Sequence, residues 1–462
     1  MKKLLLIILF IPLVSYSQWL ETGNQKLGYK TGIQMSGRYQ YAFNNIGIAG
    51  TLGFGVGVCN PSKLPSEVVE MTGTRVVGHD NYGNYMCVAD SSIMVYIPKF
   101  YYSIITFQTD SNYIEISSLP KTGYVLHRAF IDGGVEKDGF FVDKYKWCLT
   151  NDTWNGATQL TGIASSRKGS NPISSNNASK RDSVNGYAGS FSNCKSNSQS
   201  PADDYSGGFA VAKSRGNNFM MITAFQQSAL AMLSLAQGIK SSDTSVTKWY
   251  DATNNFPKGN NNSGKDINDA SVTFTACTDN YWKTRNEARL NGGANRLDKT
   301  THNGQMNGVA DLNGNQWEIM AGYTYLNSVR WLYKTSVTAS AVTYANINDA
   351  NWKKANCDTT IFITGTATTR FGRTTYRVLS PDASGNGYEL TSLGMPSQDS
   401  SISTSGSNKF GQDYYYYSTG SALVCSGTWG YGTSAGVWCA SLNDLWGNTY
   451  RSVSSRSCLY SN

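Results

Sequence analysis

One stretch of the chain carries apolar residues at helical spacing. They recur three or four positions apart from Phe219 to Leu235, and the run ends at Gly238. Asn217 or Asn218 precedes the run, and an asparagine side chain can cap the first turn of a helix. The pattern predicts a helix with a buried apolar stripe. The stripe contains Phe219, Met220, Ile222, Phe225, Ala229, Met232, Leu233 and Leu235.

Elsewhere, short alternating runs lie between glycine and asparagine turns, which is typical of small strands joined by loops. The segment 92–102 predicts a strand, and Pro98 within it predicts an edge or a bulge, because proline donates no ladder hydrogen bond. Residues 139–145 form a second apolar run. Residues 164–207 are rich in serine, asparagine and lysine and predict an exposed loop. Together these patterns favour a loop-rich α+β fold.

A turn-rich run from Asp311 leads to a tryptophan followed by an acid, Trp317 and Glu318. Asparagine and glycine tolerate left-handed backbone, so the run predicts a tight turn that directs Trp317 into the interior. Three other tryptophans are expected to anchor the same core. They are Trp282, Trp331 and Trp352.

The N-terminus has the three parts of a secretory signal peptide. Lys2 and Lys3 precede an apolar run at 4–14, and Ser15 and Ser17 supply small residues before Gln18. The run is too short to span a membrane as a helix. No later apolar stretch reaches spanning length. We therefore expect cleavage after residue 17, export, and no membrane span.

Composition agrees with an extracellular surface protein. Of 462 residues, 15% are charged and 12% aromatic, and 46 are glycine, which is too aromatic for a disordered chain. The net charge is +8, and loss of Lys2 and Lys3 leaves +8 − 2 = +6. These charges are scattered without a basic stripe, which argues against nucleic-acid binding.

Nine cysteines remain after the predicted cleavage. In an oxidising compartment some should pair, and the odd number leaves at least one free thiol. None lie in C-x-x-C pairs, so the sequence gives no basis for a zinc site. They are Cys59, Cys87, Cys148, Cys194, Cys277, Cys357, Cys425, Cys439 and Cys458.

The segment 254–269 is dense in asparagine and aspartate oxygens. Such oxygens bind hard cations, which makes a structural calcium ion conceivable. However, the spacing fits no EF-hand loop, and asparagine-rich loops are more often solvated turns. We expect no cofactor.

Two motifs resemble the formylglycine-generating-enzyme-like (sulfatase-modifying-factor) branch of the C-type lectin fold. Residues 311–318 match its D-x-x-G-N-x-W-E signature, and residues 139–145 look like the F-x-[ID]-K-Y strand that opens its domain. The resemblance implies a C-type lectin-like domain at 91–462, after a small β-rich segment at 18–90. It identifies a fold and leaves the activity open.

The C-terminal tail resembles a second, more specific pattern. Small and aromatic residues dominate segments 425–438, 442–443 and 455–456, with few charges. They are similar to the G-x-W … A-G-V-[WF] … L-N … S-R variable region of proteins diversified by retroelements. Segments 82–85, 97–102 and 302–305 resemble the phage and prophage receptor-binding members of that group.

This resemblance implies a diversified ligand-binding face at 420–462. Its adenine-directed codon changes produce Tyr, Asn, Ser, Thr, Asp, Gly or Cys but never Trp, so Trp429, Trp438 and Trp446 are expected to be scaffold or fixed platforms. The implied ligand is a protein or glycan on another cell, and a homotrimer is plausible. The predicted contact positions are Tyr431, Thr433, Ser441, Asp444, Gly447, Thr449, Tyr450, Ser452 and Ser454.

Two alternative functions stay open. Formylglycine-generating oxidases need two cysteines about five residues apart before a G-F-R, because both thiols act in one pocket. Here Cys439 and Cys458 are nineteen residues apart, and Ser-Arg-Ser stands at 455–457, so that activity is disfavoured. The other alternative is a carbohydrate-binding adhesin of fixed specificity. Likewise, a virion tail protein is the alternative to an exported one.

Overall fold

The computed structural model of the chain describes part of its residues. The described residues are 34–35, 38–39, 43–107, 111–149, 164–168, 208–241, 246, 260–261, 265–266, 297–312, 314–327, 329–342, 347, 350–354, 369–371, 392–393, 413–416, 422–428, 431, 435–444 and 453–462. Among them, strands far outnumber helices. This confirms a mostly sheet structure with few helices, as the α+β interpretation expects.

The helices are α1 (Gly208–Lys213) and α2 (Ala224–Lys240), with 3-10 turns at Pro61–Lys63, Arg128–Phe130, Leu297–Thr300 and Ala339–Ala341. The strands are β1 (Gln34–Met35), β2 (Arg38–Tyr39), β3 (Val68–Glu70), β4 (Asn84–Cys87), β5 (Ile93–Pro98), β6 (Tyr101–Phe107), β7 (Ser111–Ser117), β8 (Val125–Leu126), β9 (Ile131–Asp132), β10 (Val135–Glu136), β11 (Gly139–Asp143), β12 (Cys148–Leu149), β13 (Ala164–Ser165), β14 (Met220–Met221), β15 (Asn260–Asn261), β16 (Lys265–Asp266), β17 (Trp317–Ile319), β18 (Tyr323–Leu326), β19 (Val329–Tyr333), β20 (Trp352–Lys354), β21 (Thr369–Phe371), β22 (Asp413–Tyr416), β23 (Ala422–Cys425), β24 (Ala440–Asp444), β25 (Val453–Ser454) and β26 (Ser457–Tyr460).

The first large sheet has the strand order β14-β26-β11-β5-β4-β3. Its middle strand β11 pairs antiparallel with β5 on one side and with the C-terminal β26 on the other. Both faces of β11 are buried: Phe140 and Val142 pack in the larger core cluster, and Phe141 packs in a smaller one. A strand buried on both faces reads as a continuous apolar run, as residues 139–142 do.

Sheet pairing crosses the expected boundary at residue 90. Strands β3 and β4, from the segment 18–90, belong to the same sheet as β5, β11 and β26. Within that segment, residues 43–60 form turns and no strand, although a series of small strands was expected there. Their apolar side chains Phe54, Val56 and Val58 nevertheless pack in the main core.

The prediction that Pro98 marks an edge strand is wrong. Strand β5 lies between β4 and β11, so it is an inner strand of the sheet. Pro98 is its last residue, where the missing amide hydrogen interrupts the ladder least. Residues 101–107 then form β6, which pairs with β7 and β8 in a separate sheet.

The predicted helix exists but begins later than expected. Thr223 caps α2 through a reciprocal capping box with Gln226, and the helix continues past Gly238 to Lys240. Met220 lies instead in β14, where it pairs with Cys458 of the C-terminal strand. Sheet pairing therefore displaces the first predicted turn of the helix. The whole predicted apolar stripe is buried, which confirms its assignment to the core.

The second large sheet has the order β21-β22-β24-β23-β17-β25 and contains the Trp317 motif. The turn before β17 has positive φ at Asp311 (60°), Gly314 (144°) and Asn315 (70°). These residue types tolerate that conformation. Trp317 is 5% exposed, so its predicted inward direction is confirmed. Trp352 is also buried, Trp331 is half-buried, and Trp282 lies outside the described residues.

One further expectation is corrected by the described residues. Ala164, Ser165 and Ser166 are buried rather than exposed, because β13 pairs with β12 in the interior; residues 169–207 of the predicted loop lie outside the described residues.

The described cysteines are all buried. They are Cys59, Cys87, Cys148, Cys425, Cys439 and Cys458. Cys194, Cys277 and Cys357 lie outside the described residues, so pairing among the nine cysteines stays a prediction.

Candidate ligand-binding face

The C-terminal tail joins the two large sheets. Strand β25 pairs parallel with β17, beside the Trp317 motif, and β26 then enters the first sheet next to β11. Between them, Arg456 has a fully buried side chain. A buried guanidinium must be paired and hydrogen-bonded, because loss of its hydration is costly. The surroundings of Arg456 therefore determine how the tail is held.

Each nitrogen of the Arg456 guanidinium has a hydrogen-bond acceptor. Its Nε and Nη2 donate to the two carboxylate oxygens of Glu318 at 2.6 and 2.9 Å. Its Nη1 donates to the backbone carbonyl of Lys144 at 2.8 Å, and Nη2 also reaches that of Ala310. This two-point pairing is the strongest geometry available to an arginine and a carboxylate. It connects the acid of the tryptophan motif to the tail.

Lys146 completes this buried network. Its ammonium group lies 3.2 Å from Glu318 and also donates to the carbonyl of Asp311 in the turn before β17. Burial alone would raise the pKa of Glu318, but the adjacent Arg456 and Lys146 lower it below its ordinary value. Glu318 is therefore ionised, and two cations share its charge.

A second buried pair holds the start of β26. Arg215 Nη1 donates to Asp143 Oδ1 at 2.6 Å, and its Nε lies 3.3 Å from Asp90 Oδ2. Burial opposes the charge of Arg215, but the two carboxylates outweigh it and raise its pKa. The other oxygen of Asp143 accepts the backbone amide of Ser457 at 2.8 Å. The tail is thus tied to residues from distant parts of the chain.

Uncharged hydrogen bonds complete the attachment of the tail. Ser457 Oγ accepts the indole N–H of Trp147 at 2.8 Å, and Ser455 Oγ donates to the carbonyl of Ile319 at 2.8 Å. The carbonyl of Arg456 accepts the amide of Ile222 just before α2. Residues 453–461 are all buried. They form part of the core, although they lie at the end of the chain.

The loop between β23 and β24 differs from this buried end because one of its residues, Tyr431, is exposed. Ser426 and Gly427 have positive φ (78° and 81°), and a side chain at Gly427 would approach Ala435 to 2.9 Å. The close approach makes glycine necessary at this position. Further along the loop, the Tyr431 ring packs edge-on against the Trp317 ring, with 4.9 Å between the ring centroids. Tyr431 remains 37% exposed, so it presents an aromatic surface held by the fold.

Five of the predicted ligand-binding residues are described, and they divide into two groups. Tyr431 is exposed and Asp444 is half-buried. Trp438 is 6% exposed, which agrees with a scaffold role, while Ser441 (4%) and Ser454 (0%) are buried within strands. Burial of Ser441 and Ser454 keeps both side chains away from solvent in this structure, and their contact with ligand stays a prediction. The remaining seven lie outside the described residues: Trp429, Thr433, Trp446, Gly447, Thr449, Tyr450 and Ser452.

The buried ionic network was not predicted from the sequence. Its signal is present, however, because Lys144 and Lys146 interrupt an otherwise apolar run, and Glu318 follows a tryptophan. A charge inside an apolar run needs a buried partner. The sequence alone could not name Arg456 as that partner, since 138 residues separate it from Glu318.

Burial disfavours the thiolate form of several described cysteines. Burial raises the pKa of Cys59 to about 12, and it also raises the pKa of Cys425 and Cys458. A thiol must ionise to act as a nucleophile or to bind a metal strongly. Within the described ranges, no group of His, Cys, Asp and Glu side chains is arranged to hold a metal ion. Most of the segment 254–269, where calcium was conceivable, lies outside those ranges.

The comparisons with known proteins assign no family. No protein-family model matches the chain, and no curated protein matches it. Among the residues that the structure describes, no helix has both the length and the apolar character needed to cross a membrane.

Proposed function

We propose that the chain is a non-enzymatic ligand-binding surface protein. The proposed fold is the formylglycine-generating-enzyme-like type of C-type lectin fold, and the proposed binding face lies on the loops of the C-terminal tail. Its ligand would be a protein or glycan on another cell. We further propose that the face is diversified and that the protein is exported. A fixed-specificity carbohydrate adhesin is the alternative within the same class.

One observation carries this proposal: the exposed aromatic side chain of Tyr431 rests on a buried support. Tyr431 rests against Trp317, and the residue after Trp317 is the acid that Arg456 and Lys146 hold. An aromatic platform of this kind offers contact area at low entropic cost. A binding site on such a support keeps its geometry when neighbouring loop residues change.

The same arrangement disfavours a thiol oxidase. Cys425 and Cys458 are fully buried, and burial raises both pKa values. Ser-Arg-Ser stands at 455–457 in place of G-F-R, and Arg456 within it forms a buried ion pair with Glu318. These two facts support a binding function over catalysis.

The proposal is tested first by sequencing the last 150 or so bases of the gene across a population of its source. We expect substitutions confined to adenines of a near-identical downstream repeat. They should fall at exposed loop codons such as that of Tyr431 and avoid the buried Ser441 and Ser454. A uniform tail without a repeat would remove the diversification hypothesis and leave the fixed-specificity adhesin, which a glycan array would then examine.

Direct binding supplies the second test. We expect the purified chain to bind cells from the same habitat, and Tyr431→Ser to weaken that binding by roughly tenfold or more, as loss of an aromatic anchor does. The matched control is Tyr101→Ser, which removes another half-buried tyrosine from a different sheet. Equal binding by both variants would exclude the Tyr431 surface from the contact.

A further inference from the structure

Arg128 is a second fully buried arginine, and its surroundings differ from those of Arg456. Its guanidinium lies over the rings of Phe225 (4.9 Å) and Tyr333 (4.5 Å). Nη1 donates to the carbonyl of Ile131 at 2.7 Å and lies 3.4 Å from the Tyr333 hydroxyl. Nε and Nη2 are buried and have no hydrogen-bond partner among the described residues. Arg128 also forms no ion pair within the described part of the chain.

The two unpaired nitrogens lie on the same edge of the guanidinium. In Arg456, this Nε and Nη2 edge grips both oxygens of Glu318. The edge is a planar fork whose parallel N–H groups match the two oxygens of a carboxylate. In Arg128, two aromatic rings pack against the guanidinium, and its Nε and Nη2 still need hydrogen-bond acceptors. A flat anion with two oxygens matches the parallel N–H groups of these two nitrogens.

Lys144 is a buried cation of a different kind. It forms no ion pair among the described residues and donates to Asn84 Oδ1 and to the carbonyl of Met306, each at 2.6 Å. Burial lowers the pKa of Lys144 to about 7, so it can become neutral. A guanidinium stays protonated at all physiological pH values. Its charge must therefore be balanced where it lies, and ring contacts supply only part of that balance.

The adjacent acid does not reach the fork. Asp132 lies four residues further along, and its Oδ1 accepts the backbone amide of Ala339 at 2.6 Å. Burial raises the pKa of Asp132, and the charge of Arg128 opposes that rise from a distance without a hydrogen bond between the two side chains. The hydroxyl of Ser392 accepts the backbone amide of Arg128 at 3.2 Å rather than its side chain. Neither group contacts the fork.

We propose that Arg128 binds a small monovalent oxyanion, of the size of formate, acetate or bicarbonate, on its Nε and Nη2 fork. The side chain is fully buried, so the anion is enclosed when the chain folds and acts as a structural component. The site is independent of the tail surface and of the proposed ligand-binding function.

The test is thermal unfolding of the purified chain at constant ionic strength. We expect formate or bicarbonate to raise the melting temperature in a saturable manner, by a few degrees at about 100 times the dissociation constant, through mass action on the folded state. A bulky monovalent sulfonate of equal ionic strength should give no such increase. Arg128→Met should abolish the formate effect. Arg75→Met, which removes a surface arginine paired with Glu70, should retain it.

A second measurement covers the case in which Arg128→Met does not fold. The wild-type chain is dialysed extensively against the sulfonate buffer and denatured, and the released anions are measured by ion chromatography. A close to stoichiometric amount of small oxyanion supports the proposal. A melting temperature that responds equally to all anions, together with no released oxyanion, would overturn it in favour of enclosed water at the fork.

Discussion

The two parts of the C-terminal tail differ in the burial of their side chains. The end at 453–461 is entirely buried, and Arg456 within it has every donor satisfied by Glu318 and backbone carbonyls. The β23–β24 loop instead exposes Tyr431, whose ring packs edge-on against Trp317. Adjacent parts of one tail should therefore tolerate amino-acid substitution to different degrees. Side chains in the ionic network are specified by the fold, whereas the Tyr431 side chain is only supported by it.

The largest effect is expected at the buried end. Arg456→Met leaves Glu318 and Lys146 in the interior with an altered charge balance, and removal of one partner of a buried pair typically costs about 3–5 kcal/mol. We expect a loss of that size in the free energy of unfolding, measured by urea denaturation. Arg75→Met is the control: its ion pair is partly exposed, so about 1 kcal/mol or less is expected. Equal losses would contradict the comparison.

Next comes the insertion of a large side chain at a buried tail position. Ser454 is fully buried in β25, where it pairs with Glu318 of β17, so Ser454→Tyr must displace packed neighbours. Overpacking of this kind costs about 1–3 kcal/mol or more. The same measurement on Asp444→Tyr, at a half-buried position of β24, should show a much smaller loss. A well-tolerated Ser454→Tyr would mean that the buried end also accepts diversification.

A pH-dependent effect of intermediate size is expected from Lys144. Its pKa is about 7 in the folded chain because of burial, whereas an unfolded lysine keeps its ordinary value near 10.4. Between these values the unfolded chain binds the extra proton, so stability rises with pH and is lost as pH falls towards 7. From about pH 7.5 to 9, the free energy of unfolding of the wild type should therefore rise by about 2 kcal/mol relative to that of Lys144→Met. No pH dependence in that difference would show that Lys144 stays charged when folded.

The smallest effect on stability is expected at Tyr431 itself. Tyr431→Ser removes an edge-on contact with Trp317, and aromatic pairs of this kind contribute about 0.5–1.5 kcal/mol. Because Tyr431 is 37% exposed, we expect about 0.5 kcal/mol, measured in the same denaturation series. A loss as large as that of Arg456→Met would make Tyr431 a structural residue and remove its distinction from the buried end.

Much of the local structure could be predicted from the sequence. The apolar spacing of residues 219–235 located a core segment, and the turn residues before Trp317 predicted its direction. The predicted start of the helix was too early because Met220 of β14 pairs with Cys458, a residue far away in the chain. The prediction of an edge strand at Pro98 was wrong because β4 and β11 flank β5 and make it an inner strand. Each error came from a sheet partner that local patterns do not specify.

The candidate face shows the same limit. The alternation of small and aromatic residues marked the tail as a unit, but it gave Ser441, Ser454 and Tyr431 equal standing as contact positions. The tertiary structure separates them, because Ser441 and Ser454 are buried in β24 and β25, whereas Tyr431, between β23 and β24, is exposed. Exposure depends on what packs across a strand, and that information lies elsewhere in the chain.

By itself, the sequence determined the local conformations: where the backbone turns, which runs are apolar, and where charges interrupt them. These properties depend on each residue and its near neighbours. The tertiary structure decided which charges are paired, with Glu318 on Arg456 and Asp143 on Arg215, and it leaves Nε and Nη2 of Arg128 without a hydrogen-bond partner among the described residues. The physical reason is distance along the chain. Electrostatic and packing energies depend on contacts in space, and those contacts exist only after both ends of the chain have joined the same sheets.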